Sequence, residues 1–316
     1  MQRKRSITLL IVAALIAGLA SATIYQLVKP KSYNVFEETR GEAPGLRWDG
    51  DSVVMQAYPF RVQGELTFAG ERVPMEDPDV RERLDREIQI NIFRQSNTIL
   101  DMKLANRFFP DIEKILIEEG VPTDFKYMPM IESDFRDAFS TAGAGGFWQF
   151  VPGTAKQFGL EVNDKIDERY NVDKSTRAAC QYLRMAKERL GSWTAAAASY
   201  DFGMEGIASK MQSQHTNNYY DLWITIETSR YVFRMLAMKA IFANPEKAGY
   251  HLAADDLYEP FRYNVVTVDT PVNDLAVFAE QYGMKYKELK LLNQWMRNSS
   301  LPNASHKVYQ VKILAK

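Results

Sequence analysis

Apolar side chains recur every three or four residues through the middle of the chain, from about residue 75 to residue 255. This spacing places them on one side of an α-helix, so it predicts a domain built of helices. Residues 31–74 are polar and interrupted by proline and glycine, which predicts a tether with a strand or two. Residues 262–316 contain two alternating segments around two short amphipathic ones, which predicts a strand-helix-helix-strand module. We therefore predict a mainly α protein with a small α/β domain at its end.

Proline, glycine and short polar residues predict where individual helices begin and end. Pro110 opens the segment PDIEKILIEE in a position that suits the first turn of a helix, and Gly120 closes that segment. Thr123 or Asp124 can cap the helix that follows, because a side-chain oxygen there can accept from the first free backbone N–H groups.

A carboxylate interrupts the apolar side of this next helix. A period near 3.6 residues brings one set of positions together, Phe125, Met128, Glu132 and Phe135. A carboxyl group in apolar surroundings loses hydration of its charged form, so its pKa rises and it can keep a proton near neutral pH. Glu132 is therefore a candidate general acid, although a structural residue paired with a base or a backbone donor would give the same pattern.

The first residues of the chain predict its compartment. Three positive charges in MQRKR precede a run of 22 uncharged residues, Ile7 to Val28, which is long enough to cross the ~30 Å hydrocarbon layer of a membrane. Residues 1–30 are therefore predicted to be an inner-membrane signal anchor, with the body of the protein facing the periplasm. The segment from Ala20 to Ala22 offers a cleavage site, so a cleaved signal peptide and a periplasmic protein are the alternative.

Charge and cysteine content argue against several classes of function. The 39 basic and 40 acidic side chains give a net charge of -1, which provides no footprint for a polyanion, so no nucleic-acid partner is predicted. Cys180 is the single cysteine, and its helical surroundings predict a small buried thiol. The three histidines lack metal-ligand spacing. We therefore predict no metal site, no cofactor and no cysteine chemistry.

The segment GFWQF follows a glycine-rich stretch and combines a close-approach glycine, aromatic rings and an amide, at Gly146, Phe147, Trp148 and Gln149. A sugar presents C–H faces to aromatic rings and hydroxyl groups to directed hydrogen bonds, so this mixture suits saccharide binding. The alternative is that the aromatic side chains belong to the core, and this is our prediction for Phe147.

Two later segments add polar and aromatic groups. Tyr200 and Asp201 lie in SYD, and Glu227 and Tyr231 lie four residues apart on one helix face in ETSRYV. Each has a structural alternative. Glu227 could cap its helix or pair with Arg230, and Tyr231 could be a core residue.

Taken in order, Glu132-Ser133, the glycine-rich approach to GFWQF, SYD and ETSRYV resemble the motifs of the lytic transglycosylases of glycoside hydrolase family 23. The likeness is to the membrane-bound lytic murein transglycosylase D type of Bacteroidetes-like bacteria, and it covers about Phe68 to Tyr250. The last module resembles a divergent LysM domain, a peptidoglycan-binding fold. The resemblance implies a lysozyme-like helical catalytic domain over residues 75–255 that acts on peptidoglycan glycan strands.

In this family a glutamate protonates the oxygen between N-acetylmuramic acid and N-acetylglucosamine, then helps the muramoyl O6 hydroxyl attack C1. The product is a 1,6-anhydro sugar, and one acid/base residue suffices because the substrate supplies the nucleophile. Glu132 matches the position of this glutamate. The resemblance implies that the other matched residues bind or position the saccharide, namely Ser140, Trp148, Gln149, Tyr200, Asp201, Glu227 and Tyr231.

Asp201 departs from the family pattern, which usually has asparagine at this position. An aspartate adds a negative charge near Glu132 and could activate a water, so a muramidase with Asp201 as base is one alternative. A cell-wall-binding scaffold without activity is another. From residue 284 onward the last module has a basic surplus that suits anionic wall polymers, although a solvated charged surface would have the same composition.

Overall fold

The computed structural model of the protein describes residues 45–49, 52–56, 59–62, 64–136 and 139–315. The predicted signal anchor at 1–30 and the first part of the predicted tether lie outside these residues. Within the described part of the chain, no helix combines the length and the apolar composition that crossing a membrane requires. Two antiparallel strand pairs precede the helices, β1 (Gly45–Asp49) with β2 (Ser52–Gln56), and β3 (Thr67–Phe68) with β4 (Glu71–Arg72).

The helical domain contains α1 (Pro78–Phe93), α2 (Gln95–Glu118), α3 (Tyr127–Ser133), α4 (Pro152–Gln157), α5 (Val172–Leu190), α6 (Trp193–Phe202), α7 (Met204–Ser213) and α8 (Ile226–Ala243). Side-chain caps begin four of them, α1, α5, α6 and α8, and two of these caps serve as examples. Asn171 accepts from the N–H of Lys174 at 3.1 Å, and Ser192 accepts from the N–H of Ala195 at 3.0 Å. Gly191 ends α5 in the left-handed conformation, which costs glycine little.

A shared apolar core holds these helices together. α1 packs against α8, and α6 contacts α5, α7 and α8. The four alanines at 195–198 in α6 are completely buried, because their small side chains let neighbouring helices approach closely. Cys180 on α5 is buried as well, as its helical surroundings predict.

Pro110 lies inside α2 and does not begin a helix, so that prediction is wrong. Its missing N–H removes one intrahelical hydrogen bond, which costs about 3 kcal/mol in a helix interior. The helix continues because the core fixes it on both sides of the proline, at the buried residues Ala105 and Ile112, while Pro110 itself is exposed. Packing of the whole apolar face outweighs the loss of one hydrogen bond.

Neither Thr123 nor Asp124 caps α3, contrary to the prediction. A 3-10 turn over Thr123–Lys126 precedes α3, and no side chain caps that helix. Oδ2 of Asp124 instead accepts from the N–H of Ala69 and from Nζ of Lys239, both at 2.7 Å. The carboxylate therefore links the β3–β4 hairpin to α8, a long-range role that local sequence does not reveal.

The last module contains β5 (Tyr263–Val268), α9 (Leu275–Gln281), α10 (Tyr286–Leu292) and β6 (Tyr309–Leu314), and β5 pairs with β6 in antiparallel register. This is the strand-helix-helix-strand order that the alternating and amphipathic segments predict. The predicted fold class, mainly α with a small α/β domain at the end, is confirmed.

The module is joined to the helical domain through a common core. Ile166 and Tyr170 precede α5 in the chain, yet they are buried among the apolar residues of the module. Ile166 also forms a β-bridge with Met296. At the start of α5, Oδ1 of Asp173 lies 2.9 Å from Nζ of Lys312 on β6. These contacts fix the module against the helical domain.

Candidate active site

Glu132 lies in the last turn of α3, and the neighbouring Ser133 ties that turn to another segment. Ser133 is buried, and its hydroxyl lies 3.0 Å from two carbonyl oxygens, those of Pro129 and Phe147. Pro129 belongs to the same helix, whereas Phe147 belongs to the glycine-rich segment. The end of the helix that carries Glu132 is therefore held against the GFWQF segment.

The apolar side of this helix ends sooner than the sequence predicts. Asp134 and Phe135, directly after α3, have φ angles of 50° and 53°, in the left-handed region. Phe135 therefore leaves the face that carries Glu132 and packs against Phe108 and Phe147. The acid lies at a helix end and not within a continuous apolar stripe.

Helix α8 positions both the carboxyl group of Glu132 and the backbone before it. The hydroxyl of Tyr231 donates a hydrogen bond to Oε1 of Glu132. Tyr231 is 4% exposed, so its ring is fixed in the core and its hydroxyl has a defined position. From the next turn of α8, Nη2 of Arg234 donates to the carbonyl of Ile131 at 2.9 Å.

Burial raises the pKa of Glu132 to about 7, because the charged form loses its hydration. The hydrogen bond from Tyr231 and the positive charge of Arg234 lower this pKa, while the negative charges of Asp201 and Glu227 raise it. A carboxyl group with this pKa is about half protonated at neutral pH, so it can both give and accept a proton.

Asp201 and Glu227 act on Glu132 through their charges, and both side chains are exposed. Oδ2 of Asp201 accepts a hydrogen bond from the hydroxyl of Thr228 at 2.6 Å, which links α6 to α8. Glu227 lies in the first turn of α8, but the cap of this helix is Thr225.

The ion pair considered for Glu227 is formed elsewhere. Nε of Arg230 lies 2.6 Å from Oε1 of Glu87, which is 1% exposed. Glu227 thus neither caps its helix nor forms the ion pair of Arg230, and its negative charge raises the pKa of both Glu132 and Arg230.

The glycine-rich segment requires glycine where it passes Arg169. Gly146 has a φ of 75°, and a Cβ atom there would lie 1.9 Å from the carbonyl oxygen of Arg169. Arg169 is buried in an ion pair with Asp167 at 2.7 Å. Its Nη1 donates to the carbonyls of Gly143 at 2.6 Å and Phe150 at 3.0 Å, so it supports both ends of the segment.

Trp148 is completely buried, and its Nε1 donates to the hydroxyl of Thr176 at 2.9 Å. Its ring therefore packs in the core, where it offers no surface for stacking on a sugar. The carbonyl of Trp148 accepts from the hydroxyl of Tyr200 at 2.7 Å. Gln149 is half-buried, has a φ of 46°, and donates from Nε2 to the carbonyl of Gly146 at 2.7 Å.

Ser140 closes a tight turn before the glycine-rich segment. Its hydroxyl accepts from the N–H of Ala144 at 3.0 Å, and its own N–H donates to the carbonyl of Ala144 at 2.9 Å. No hydrogen bond between described residues joins Ser140 to Glu132. Charge effects and hydrogen bonds link Glu132 to four other predicted site residues, Tyr200, Asp201, Glu227 and Tyr231.

Sequence reasoning missed several supporting residues. Ser133 and Thr228 lie inside the quoted motifs, each directly after a predicted site residue, and this position in the sequence could have identified them. Arg234 lies three residues after Tyr231, a spacing that puts both on one side of α8. Arg169 has no local signal, because its contacts come from the fold. Among the described residues, no group of three or more His, Cys, Asp or Glu side chains is arranged to hold a metal ion.

Comparison with known families gives two matches along the chain. Residues 112–222 match the family described as "Transglycosylase SLT domain". Residues 264–316 match the family described as "Soluble lytic transglycosylase C-terminal LysM-like domain". The first match lies in the helical domain, in agreement with the lysozyme-like helical fold that the sequence implies, and the second lies in the strand-helix-helix-strand module.

The chain also resembles individual proteins and one solved structure. The chain is 29% identical over 265 residues to the membrane-bound lytic murein transglycosylase D of Escherichia coli strain K12, and this alignment covers 81% of the chain and 56% of the relative. The same protein of Escherichia coli O6:H1 gives the same values. The chain thus spans about half the length of these curated relatives. A crystal structure of an inactive mutant of lytic transglycosylase Slt from Pseudomonas aeruginosa is 18% identical, with a TM-score of 0.34 over 48% of this chain and 26% of that one.

Proposed function

The chain carries an SLT transglycosylase domain followed by a LysM-like C-terminal domain, and from this premise we propose that it is a peptidoglycan lytic transglycosylase. In this proposal it cleaves the β-1,4 bond between N-acetylmuramic acid and N-acetylglucosamine without water and leaves 1,6-anhydro ends. Glu132 is the single general acid and base. The observation that carries the proposal is a carboxyl group with a pKa raised to about 7, held by the hydroxyl of Tyr231.

The reaction needs one carboxyl group that first gives and then recovers a proton. Protonated Glu132 donates to the glycosidic oxygen while the bond from C1 to that oxygen breaks. The muramoyl O6 hydroxyl then forms a bond to C1, and the carboxylate accepts the proton of that hydroxyl. The hydrogen bond from Tyr231 occupies Oε1, so Oε2 remains for the substrate. The same bond stabilises the carboxylate between the two steps.

We assign the remaining predicted residues to binding and positioning of the saccharide. They are Ser140, Gln149, Tyr200, Asp201, Glu227 and Tyr231. Trp148 contributes in a different way from the predicted one, since its carbonyl accepts from Tyr200 while its ring is buried. It positions a binding residue and does not stack on the sugar.

A muramidase is the second candidate, because the negative charge of Asp201 acts on Glu132. In that reaction Asp201 would accept a proton from an attacking water, and the product would be a reducing end. The hydrogen bond from Thr228 already occupies Oδ2 of Asp201. An inactive wall-binding scaffold has less support, since the hydroxyl of Tyr231 holds Glu132 and the charges of Asp201 and Glu227 act on it, an arrangement that burial of a carboxyl group does not by itself require.

Mass spectrometry of the products from purified sacculi separates these candidates. The transglycosylase releases muropeptides with anhydro ends, which are one water lighter than reducing ends. Reducing ends that disappear in the Asp201→Asn variant would establish the muramidase instead. Binding of sacculi with no soluble product from the wild-type protein would establish the scaffold.

We also propose the placement of the protein in the cell envelope. Residues 1–30 are the membrane anchor or cleaved leader, 31–74 the tether, 75–255 the catalytic domain and 262–316 a peptidoglycan-binding module. Fractionation of cells that express the full chain tests this arrangement. The anchor predicts recovery in the membrane fraction, a cleaved leader predicts soluble periplasmic protein, and recovery in the cytosol would contradict both.

A further inference from the structure

A cavity of about 640 Å³ lies between the helical domain and the LysM-like module. Ligand sites commonly have volumes of about 300–1,000 Å³ and often lie between domains. The wall of this cavity is formed by α2, the start of α5, the two strands of the module and the end of α10. The proposed reaction at Glu132 does not use it.

The wall of the cavity has a surplus of positive charge. Among its lining residues that the structure describes, five are basic and two are acidic. Both acids already have partners, since Asp111 accepts from the hydroxyl of Tyr263 at 3.0 Å and Asp173 pairs with Lys312 at 2.9 Å. Tyr263 is neutral and leaves the charge of Asp111 uncompensated, but the five basic residues still outnumber the two acids of the wall.

Two of the five basic residues have no carboxylate partner within the described part of the chain. Arg107 donates from Nε to the carbonyl of Glu259 at 3.0 Å, and its guanidinium lies 4.5 Å from the centre of the Phe261 ring. Arg136 is exposed, and its side chain forms no hydrogen bond or ion pair with another described residue, although its charge acts on Asp101. A guanidinium can hold a carboxylate through two parallel hydrogen bonds, so these arginines suit a ligand that carries carboxylates.

The cavity lies close to the proposed active site. Phe135 and Phe147 line it, and both belong to segments that hold Glu132 in place. Phe135 follows Glu132 by three residues, which separates their Cα atoms by at most about 11 Å. Ser133, next to Glu132, contacts the carbonyl of Phe147 at 3.0 Å. A ligand attached to a sugar beside Glu132 could therefore extend into the cavity within a few residues.

Resting on the proposed function, we propose that this cavity binds the acidic peptides that branch from the glycan, and that Arg107 and Arg136 hold their carboxylates. Three or four extended residues span about 10–14 Å, which is sufficient to reach from the cleft. The phenylalanine rings of the wall provide an apolar surface for the remainder of the peptide. The glycan chain itself carries no charge apart from these peptides, so the unpaired arginines favour the peptide over a second glycan segment.

Calorimetric titration tests the binding with peptides that an amidase releases from purified sacculi. In the full chain, Arg136→Gln and Arg107→Gln should each weaken binding about 10-fold, as expected for loss of a charge-assisted hydrogen bond. Arg189→Gln is the matched control, because Arg189 pairs with Glu205 and does not line the cavity. A variant that carries both Arg107→Gln and Arg136→Gln provides the reference for loss of both charges. Peptides whose carboxylates have been converted to amides should bind the wild type no more tightly than the acidic peptides bind this double variant.

Arg136 is exposed, so Arg136→Gln should not destabilise the fold. The test therefore still holds if Arg107→Gln destabilises the chain. Equal binding by the wild type and Arg136→Gln, or equal binding of the acidic and amidated peptides, would overturn the proposal.

A turnover comparison adds a second readout. Arg136→Gln should raise the KM for peptide-bearing glycan about 10-fold and leave the KM for peptide-free glycan unchanged. Absence of turnover by the wild type would refute the proposed function alone, since the titration does not depend on it.

Discussion

Two carboxyl groups of the helical domain have similarly raised pKa values in different surroundings. Burial raises the pKa of both Glu132 and Asp101 to about 7. Glu132 accepts a hydrogen bond from Tyr231, whereas Oδ1 of Asp101 is buried without a hydrogen-bond partner among the described atoms. The negative charge of Asp134 further raises the pKa of Asp101. The comparison teaches that a raised pKa alone does not identify a catalytic acid.

What distinguishes Glu132 is the group that holds it. Tyr231 donates a hydrogen bond to one oxygen of Glu132, and in the proposed mechanism the other oxygen serves the substrate while this bond supports the carboxylate once the proton has left. Asp101, in the second turn of α2 and 5% exposed, has no group that donates a hydrogen bond to its buried Oδ1 among the described atoms. The two residues therefore predict opposite results on substitution, a loss of activity at one and a gain of stability at the other.

The largest effect is expected from Glu132→Gln. This substitution keeps the shape of the side chain and removes the ionisable proton, so release of anhydro products should fall about 1,000-fold, within the usual range for a general acid. Soluble muropeptides from sacculi provide the measurement. Thermal unfolding at a temperature no lower than that of the wild type and unchanged sacculus binding are the controls for fold. Release near the wild-type rate would remove Glu132 from the mechanism.

Tyr231→Phe should have the next largest effect. Loss of a hydrogen bond to a charged group costs about 1.5–3 kcal/mol, which corresponds to a decrease in kcat of roughly 10- to 100-fold. Because the hydroxyl of Tyr231 favours the charged carboxylate, its removal should also raise the pKa of Glu132. The pH at which activity falls should then move upward. A lower rate with an unchanged pH profile would show a purely structural role for Tyr231.

Asp101→Asn should stabilise the protein in a pH-dependent way. The folded-state pKa of Asp101 is raised from 3.8 to about 7, so the folded chain holds its proton more tightly than the unfolded chain. The stability contribution of the wild-type group is thus highest at acid pH and is lost as pH rises from about 4 through 7. The free energy of unfolding of the variant should exceed that of the wild type by roughly 2 kcal/mol more at pH 8 than at pH 5.

Urea unfolding at the two pH values measures this gain. Asp85→Asn, at an exposed position on α1, is the matched control and should show no such difference. Turnover of the Asp101→Asn variant should remain close to that of the wild type. A large loss of activity with this variant would erase the distinction between Glu132 and Asp101.

Asp201→Asn should have the smallest effect. It removes a negative charge that raises the pKa of Glu132, so the pH at which activity falls should move slightly downward. The hydrogen bond from Thr228 can persist, because an asparagine side chain still offers an oxygen acceptor. Anhydro products should remain the main products. If the Asp201→Asn variant released no product at all, Asp201 would take part in the chemistry.

The sequence predicted the parts of the fold that depend on local pattern. The helical domain, the strand-helix-helix-strand module and the buried thiol of Cys180 all followed from spacing and composition. The errors concern residues whose roles depend on distant partners. Pro110 stays within α2 because the core fixes both sides of it, and Asp124 binds Ala69 and Lys239 instead of capping α3.

The candidate site shows the same division. The pattern around Glu132 predicted a carboxyl group with a raised pKa, and the structure supplies the burial that causes it. No local pattern distinguishes a buried Trp148 from an exposed one, because its partner Thr176 lies 28 residues further along the chain. The same reason hides Arg169, whose ion pair with Asp167 and hydrogen bonds to the glycine-rich segment exist only in the folded chain.

The protonation of Glu132 tests the central claim most directly. A titration by ¹³C NMR of glutamate carboxyl groups, with Glu132→Gln used to assign the resonance, reports this proton without reference to activity. The account predicts a midpoint near pH 7, in line with burial that raises the pKa to about 7. A midpoint near the ordinary glutamate value, about 4.3, would leave Glu132 ionised at neutral pH and unable to donate a proton, and would contradict the account.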